Sequence, residues 1–316
     1  MKKILAVIAG CFLILLGVIG VVMPIMPGWV LIFVGLAMIA PAAAHRIRRR
    51  IEMRLINSDL MYFNEWAPMG IDAGLTTRHF PLKLQKTMDL SNPLQAERFT
   101  VSLNQSKVIL GQKVRFDGNF VYLNQVHEDR IAVIDTPLAV GERWKHFEKA
   151  DAVVTNQPDT TLLVMTADCL SVYFAVAPGL AADDNARATW VGAAHAGWRG
   201  TQQRISFKTF QTLLEKSQAK PEEVVVMFGA CIGADQYEVG EEFRDHFPGG
   251  AITAKNGKLY FDLAKENESQ LLAAGVLPRN IIRHSFCTVA ENKHFYSYRK
   301  EKEAAGRMVS FIRLRG

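Results

Sequence analysis

Cysteine is scarce in this chain. There are four in 316 residues (Cys11, Cys169, Cys231 and Cys287), and no CxxC is formed. That usage does not describe a disulfide framework and fits reduced thiols in a cytosolic compartment. Nucleotide signatures are missing too. Neither GxxxxGK[ST] nor GxGxxG occurs, so no nucleoside triphosphate or NAD is expected. The eight histidines form no HExxH and no HxH cluster, which leaves no local metal motif. The net charge is +6, yet no basic stretch is interleaved with aromatics, so nucleic acid is not an expected partner. Charge of either sign is absent from residues 4–44.

What fills residues 4–44 is apolar. One run covers 4–23, a break follows at Pro24-Ile25-Met26-Pro27-Gly28, and a second run starts at Trp29. Each run approaches the roughly 20 residues that cross a bilayer, and the Pro/Gly break reads as a tight turn. Lys2 and Lys3 stand before the first run, and HRIRRR follows the second at 45–50. The positive-inside rule then puts both ends in the cytoplasm. Ala42-Ala43-Ala44 offers a cleavage-like site, but the apolar stretch is far longer than a signal peptide's core of about 7–15 residues. Residues 1–44 are therefore expected to be a transmembrane hairpin. Residues 45–63, basic and amphipathic, are expected to be a linker along the headgroups or a solvated helix. The catalytic domain is expected over 64–316, on the cytoplasmic face of the inner membrane.

Within 64–316, short β-like runs appear at 71–77, 98–103, 120–126, 151–154, 162–165, 190–194, 224–228, 259–261, 281–283 and 308–314. A helix is expected after Gly200, with Ile205, Phe207, Phe210, Leu213 and Leu214 on one face. An amphipathic helix is expected from Glu241 and Glu242. Asp262 reads as the N-cap of a helix reaching Ala274.

Chemistry concentrates between Met165 and Thr201. MTADCL carries Asp168 and Cys169, and AAHAGWRGT carries His195 and Arg199. His127 follows the run at 120–126. His127, Cys169 and His195 each end a β-like run. Two imidazoles and a thiolate suit zinc, with a fourth position left open for catalysis. Without a metal, Cys169 and His195 can instead pair as nucleophile and base. Residue types alone leave both readings open. Arg78, Arg199, Arg299 and Arg307 lie near turns and are candidates for an anionic group, although each also suits a salt bridge or a packed turn. Asp168 is a candidate general acid or base, or a group that orients a ligand.

The elements MTADCL, AAHAGWRGT, GACIGADQYEVG, the QVH before Glu128, and FYSYRK followed by Gly306-Arg307 resemble the laccase-domain family that includes YfiH. The resemblance spans about 64–316. It implies an α+β fold, a mixed β-sheet sandwich flanked by helices. It also implies zinc held by His127, Cys169 and His195. The activity implied is phosphorolysis of adenosine, inosine, guanosine and methylthioadenosine to base and ribose 1-phosphate, together with deamination of adenosine. Purine nucleosides and phosphate are the implied partners. Copper polyphenol oxidation is the alternative within the family, a metal-free Cys–His amide hydrolase is another, and a non-enzymatic scaffold a third. This chain departs from the family at Glu128, at Ala230, and where HFPLKLQK replaces a glycine-rich segment. Residues 1–44, through GVVMPIMPGWVLIFVGLAMIA, resemble PGPGW-type two-helix membrane proteins.

Overall fold

The computed structural model describes residues 59–83, 90, 92–106, 116–180, 186–284 and 286–316. The hairpin expected over 1–44 and residues 45–58 of the linker lie outside the described residues. Among the described residues, no helix is long and apolar enough to cross a membrane.

The chain begins with β1 (Leu60–Tyr62), a 3-10 turn over Asn64–Met69, and β2 (Ile71–Thr76). β1 falls inside the stretch expected to be linker. Its Leu60 and Met61 are buried and pair with Thr76 and Leu75, so the sheet takes them as its edge. α1 (Pro93–Gln105) comes next. It corrects the β-like run expected at 98–103. Arg98-Phe99-Thr100-Val101 looks strand-like locally, but Asn92 accepts hydrogen bonds from Leu94 and Gln95 and Pro93 fixes the first turn. Ala96, Phe99, Thr100 and Leu103 then face the core at helical spacing.

β3 (Asn119–Leu123), β4 (Ile131–Ile134), β5 (Trp144–Phe147), β6 (Ala152–Thr155), β7 (Thr160–Thr166), β8 (Leu170–Val176) and β9 (Trp190–Ala196) follow. After them come α2 (Trp198–Gln202), α3 (Ile205–Ser217), β10 (Val224–Phe228), β11 (Glu238–Val239), α4 (Phe243–His246), β12 (Ile252–Lys255), β13 (Lys258–Phe261), α5 (Leu263–Ala273), β14 (Ile281–Arg283), α6 (Tyr298–Glu301) and β15 (Met308–Leu314). Asp262 caps α5 as expected, accepting from the Lys265 amide. The amphipathic helix expected from Glu241 shrinks to the single turn of α4. Phe207 is only partly buried, and Arg204 lies over its ring.

Two mixed six-stranded sheets carry the fold. One runs β1-β2-β15-β7-β3-β5, the other β14-β10-β8-β9-β6-β4, and β11-β13-β12 form a small antiparallel sheet. β7 and β8 are buried almost throughout, so they read as continuous apolar runs rather than alternating ones. Polar contacts tie the two large sheets face to face. Tyr173 of β8 donates to the Gly74 carbonyl of β2, and Ser310 of β15 donates to Ser171 of β8. α1 covers the first sheet with Phe99 and Leu103 against Phe120 and Phe311. α3 covers the second with Ile205, Phe210 and Leu213. Each such fully buried side chain contributes about 1.5–3 kcal/mol. Asn267 of α5 joins the helices, accepting from Ser206 and donating to Thr201.

Three times the chain leaves the first sheet and enters the second: from β3 to β4, from β5 to β6, and from β7 to β8. These crossings build the site.

Candidate metal centre

The tightest crossing is residues 167–169, between β7 and β8. Its Asp168 has φ of +88°, a backbone conformation that non-glycine residues rarely adopt. The turn puts Cys169 at the seam between the sheets. The crossing from β3 to β4 carries His127, also left-handed with φ of +63°. β3 stops at Leu123, so His127 stands on a loop four residues beyond the strand rather than at its end. His195 lies inside β9, next to its last residue, and pairs in register with Ser171.

These three side chains converge. Their ligand atoms all lie within 4.8 Å of one another. No second group of three His, Cys, Asp or Glu donors gathers in this way among the described residues. His127 and His195 meet edge to face, with ring centroids 4.7 Å apart. His127 is exposed, Cys169 half-buried and His195 buried, which leaves one side of the group facing out. Burial pushes the Cys169 thiol up, but the charge of His195 and a hydrogen bond with His127 outweigh it and hold the thiol below its ordinary range. Burial disfavours charge on His195, yet Cys169 and Asp151 together hold its imidazolium above the usual range. A thiolate beside two imidazoles is the donor set that zinc takes, and it leaves a coordination position open.

The residue that organises the group is Asp151, on the crossing from β5 to β6. It is fully buried. One carboxylate accepts the amides of Val126, His127 and Glu128, each at 3.0 Å, and bonds His195 Nδ1 at 2.8 Å. It therefore fixes the loop that carries one histidine and the ring of the other. With Nδ1 held by Asp151, His195 presents Nε2 to the centre, the carboxylate–histidine arrangement common beside metals. Gln125 makes a second clamp. Its side-chain amide donates to the Met165 carbonyl and accepts from the Met165 amide, tying the His127 loop to the end of β7. Sequence reading passed over both residues, because the partners that give them their roles are distant along the chain.

Gly197 completes the packing. A methyl there would sit 3.1 Å from Cys169 Sγ and 3.2 Å from His127 Cδ2. Gly197→Ala is expected to weaken metal binding by about 10-fold with little change in thermal stability. A chelator-competition titration checks this, and unchanged affinity would mean that the two ligands need no such close approach.

Asp168 is engaged on both oxygens, by Thr288 Oγ1 at 2.6 Å and by the Arg299 amide at 2.5 Å. Both of its oxygens thus already have partners. Arg199 lies over Trp198 at 4.5 Å and Arg299 over Tyr237 at 5.2 Å. Burial lowers the proton affinity of Arg307, against the pull of Cys169, Glu303 and Asp168. Burial also raises Tyr237, helped by Cys169 and Asp168 and opposed by Arg299 and Arg199. Arg199, Arg299 and Arg307 thus share the electrostatic surroundings of Cys169 and Asp168. Arg78 differs: it is paired with Glu301 and stacked on Tyr296 at 4.6 Å.

Residues 72–315 match the family described as multi-copper polyphenol oxidoreductase laccase. The purine nucleoside phosphorylase YfiH of Escherichia coli K12 is 35% identical over 199 residues, covering 61% of this chain and 72% of that one. The adenosine deaminase RL5, from an unknown prokaryotic organism, is 31% identical over 205 residues, covering 61% and 74%. The crystal structure of the Bacillus licheniformis hypothetical protein YfiH superimposes with a TM-score of 0.64 at 25% identity, covering 81% of this chain and 97% of that one.

Proposed function

This chain belongs to the family described as multi-copper polyphenol oxidoreductase laccase, and we propose that within it the protein is a zinc-dependent purine nucleoside phosphorylase with adenosine deaminase activity. The substrates are adenosine, inosine, guanosine and methylthioadenosine with phosphate. The observation that carries the reading is the His127–Cys169–His195 group with cationic side chains around it. Copper oxidation of polyphenols fits less well, since the one group of three donors among the described residues offers little for several coupled metal centres.

His127, Cys169 and His195 would hold the metal, which would supply Lewis acidity there. Arg199, Arg299 and Arg307 hold phosphate against the ribose, so that its oxygen attacks C1′ as the glycosidic bond breaks. Arg78 joins them only by leaving Glu301. Trp198 and Tyr237 offer flat faces for the base beside those cations. Asp168 keeps its turn, and with it Cys169, in place through Thr288 and Arg299.

Purified full-length protein is expected to release base from inosine and adenosine only when phosphate is present. A chelator should abolish release and zinc should restore it. No release by folded, zinc-loaded protein at any phosphate concentration would overturn the reading. A second reading has its own support: Asp151, His195 and Cys169 also form a charge-paired nucleophile arrangement. Amide hydrolysis that survives the chelator but is lost in Cys169→Ser would favour it.

We also propose that residues 1–44 tether the enzyme to the cytoplasmic membrane with residues 64–316 in the cytoplasm. Two uncharged apolar runs between basic flanks support this. The full-length chain should stay with membranes after an alkaline wash, and protease outside right-side-out vesicles should spare 64–316. Release by the wash would refute the tether, and digestion would refute the orientation.

A further inference from the structure

Cys231 and Cys287 stand 56 positions apart in sequence and outside the metal-binding group, and nothing in the reaction above uses them. The fold places them side by side. They form an isolated parallel β-bridge. The Cys231 amide donates to the Phe286 carbonyl, and the Thr288 amide donates to the Cys231 carbonyl. Cys287 is thus the residue directly opposite Cys231. Adjacent strands run about 4.7–4.9 Å apart, inside the Cα separation that disulfides span, about 4.4–6.8 Å. Paired residues in a parallel ladder send their side chains to the same face, and both cysteines line one cavity of about 260 Å³ together with Phe286, Arg283 and Asp262.

The two thiols are unequal. Cys231 is buried within the core that includes Phe228 and Phe261. Cys287 is half-exposed, and its sulfur accepts hydrogen bonds from the Gly233 amide at 3.2 Å and the Ala290 amide at 3.5 Å. Of the two sulfurs, that of Cys287 is therefore the one an oxidant can reach. Arg283 lines the same cavity but is engaged by Glu268 and Asp262, so it leaves no free cation to hold an anionic ligand there.

We propose that Cys231 and Cys287 are a thiol modification site that closes to a reversible disulfide on reaction with hydroperoxides. The Cys287 thiolate attacks the peroxide: an S–O bond forms, the O–O bond breaks, and the departing alkoxide takes up a proton. Cys231 then loses its proton and attacks the sulfenic sulfur. An S–S bond forms, the S–O bond breaks, and hydroxide leaves as water. Two thiols and one hydroperoxide give one disulfide, one alcohol and one water. The cross-link joins the two segments that grip Asp168, since Ile232 donates to the Asp168 carbonyl and Thr288 to its carboxylate. It therefore reaches the turn that presents Cys169 without touching a metal ligand.

The test does not depend on catalytic activity, so it stands apart from the nucleoside reading. Full-length protein is treated with hydrogen peroxide, blocked with an alkylating agent under denaturing conditions, and digested without reduction. The expected result is a linked pair of peptides carrying Cys231 and Cys287, with loss of both free thiols and their return with dithiothreitol. In Cys231→Ala the link should vanish and Cys287 should proceed to sulfinic acid. Overturning results would be wild-type Cys287 oxidised to sulfinic acid while Cys231 remains alkylatable, or cross-linking of Cys287 through Cys169 instead.

Discussion

Asp151→Ala is expected to lower metal affinity by about 100-fold and nucleoside turnover with it. The reason is that one carboxylate supports two ligands. Its removal strips the acceptor from three backbone amides at 126–128 and frees the His195 ring to rotate. His127 then loses the loop that holds its left-handed backbone. Asp151→Asn should fall between, because an amide oxygen can still accept from the loop but cannot balance an imidazolium. The measurement is zinc competition against a chromophoric chelator, read alongside the phosphate-dependent release of base. Asp151→Ala binding within about 3-fold of the parent would show that the crossings hold the ligands unaided.

The second large effect is on stability and lies far from the site. Asp72→Ala is expected to cost about 3–5 kcal/mol, because the buried Arg313 loses its close partner and keeps only the exposed Asp159, 3.9 Å away. Asp72 of β2 is directly opposite Arg313 of β15 and bonds its Nε at 2.8 Å. The same carboxylate takes Arg315 through Nε at 2.8 Å and Nη2 at 2.7 Å, and Tyr62 donates to it as well. Burial works to raise Asp72, but Arg315, Tyr62 and Arg313 overcome it and hold the carboxyl below its ordinary value of 3.8. A carboxyl depressed in the folded state binds its proton more tightly when unfolded. Its stabilising contribution is thus complete above about pH 4 and is lost as pH falls through the folded value. Urea unfolding of wild type and Asp72→Ala should therefore differ most at neutral pH and converge in acid. A difference below about 1 kcal/mol at pH 7 would remove Asp72 as an anchor of the sheet.

Much of this was legible beforehand where local pattern and burial agree. The runs at 224–228 and 308–314 are β10 and β15 because segments buried throughout suit strands packed on both faces, and 281–283 is β14, a partly buried strand at the sheet edge. Asp262 worked as a cap because capping is a local event. His127, Cys169 and His195 were legible as residue types, but their meeting was not, since three crossings between two sheets bring them together. Residues 98–103 misled because aromatic and β-branched side chains suit strands, while the deciding signal, Asn92 followed by Pro93, lay upstream. Asp151 carried no motif at all. Its importance is the sum of four hydrogen bonds to residues 23–44 positions away.

The place of β15 has a consequence for how the chain is made. It sits between β2 and β7 in the interior of the first sheet, and its Arg313 meets Asp72 across 241 positions of sequence. During synthesis β1 and β2 emerge long before β15, the neighbour that β2 pairs with. Until then β2 and β7 each hold an unpaired edge, the kind of surface that recruits other chains. Closing that gap is a long-range event and therefore a slow one. Newly made chains should be most dependent on chaperones in this interval, and a ribosome stalled before residue 308 should display a sheet still split in two.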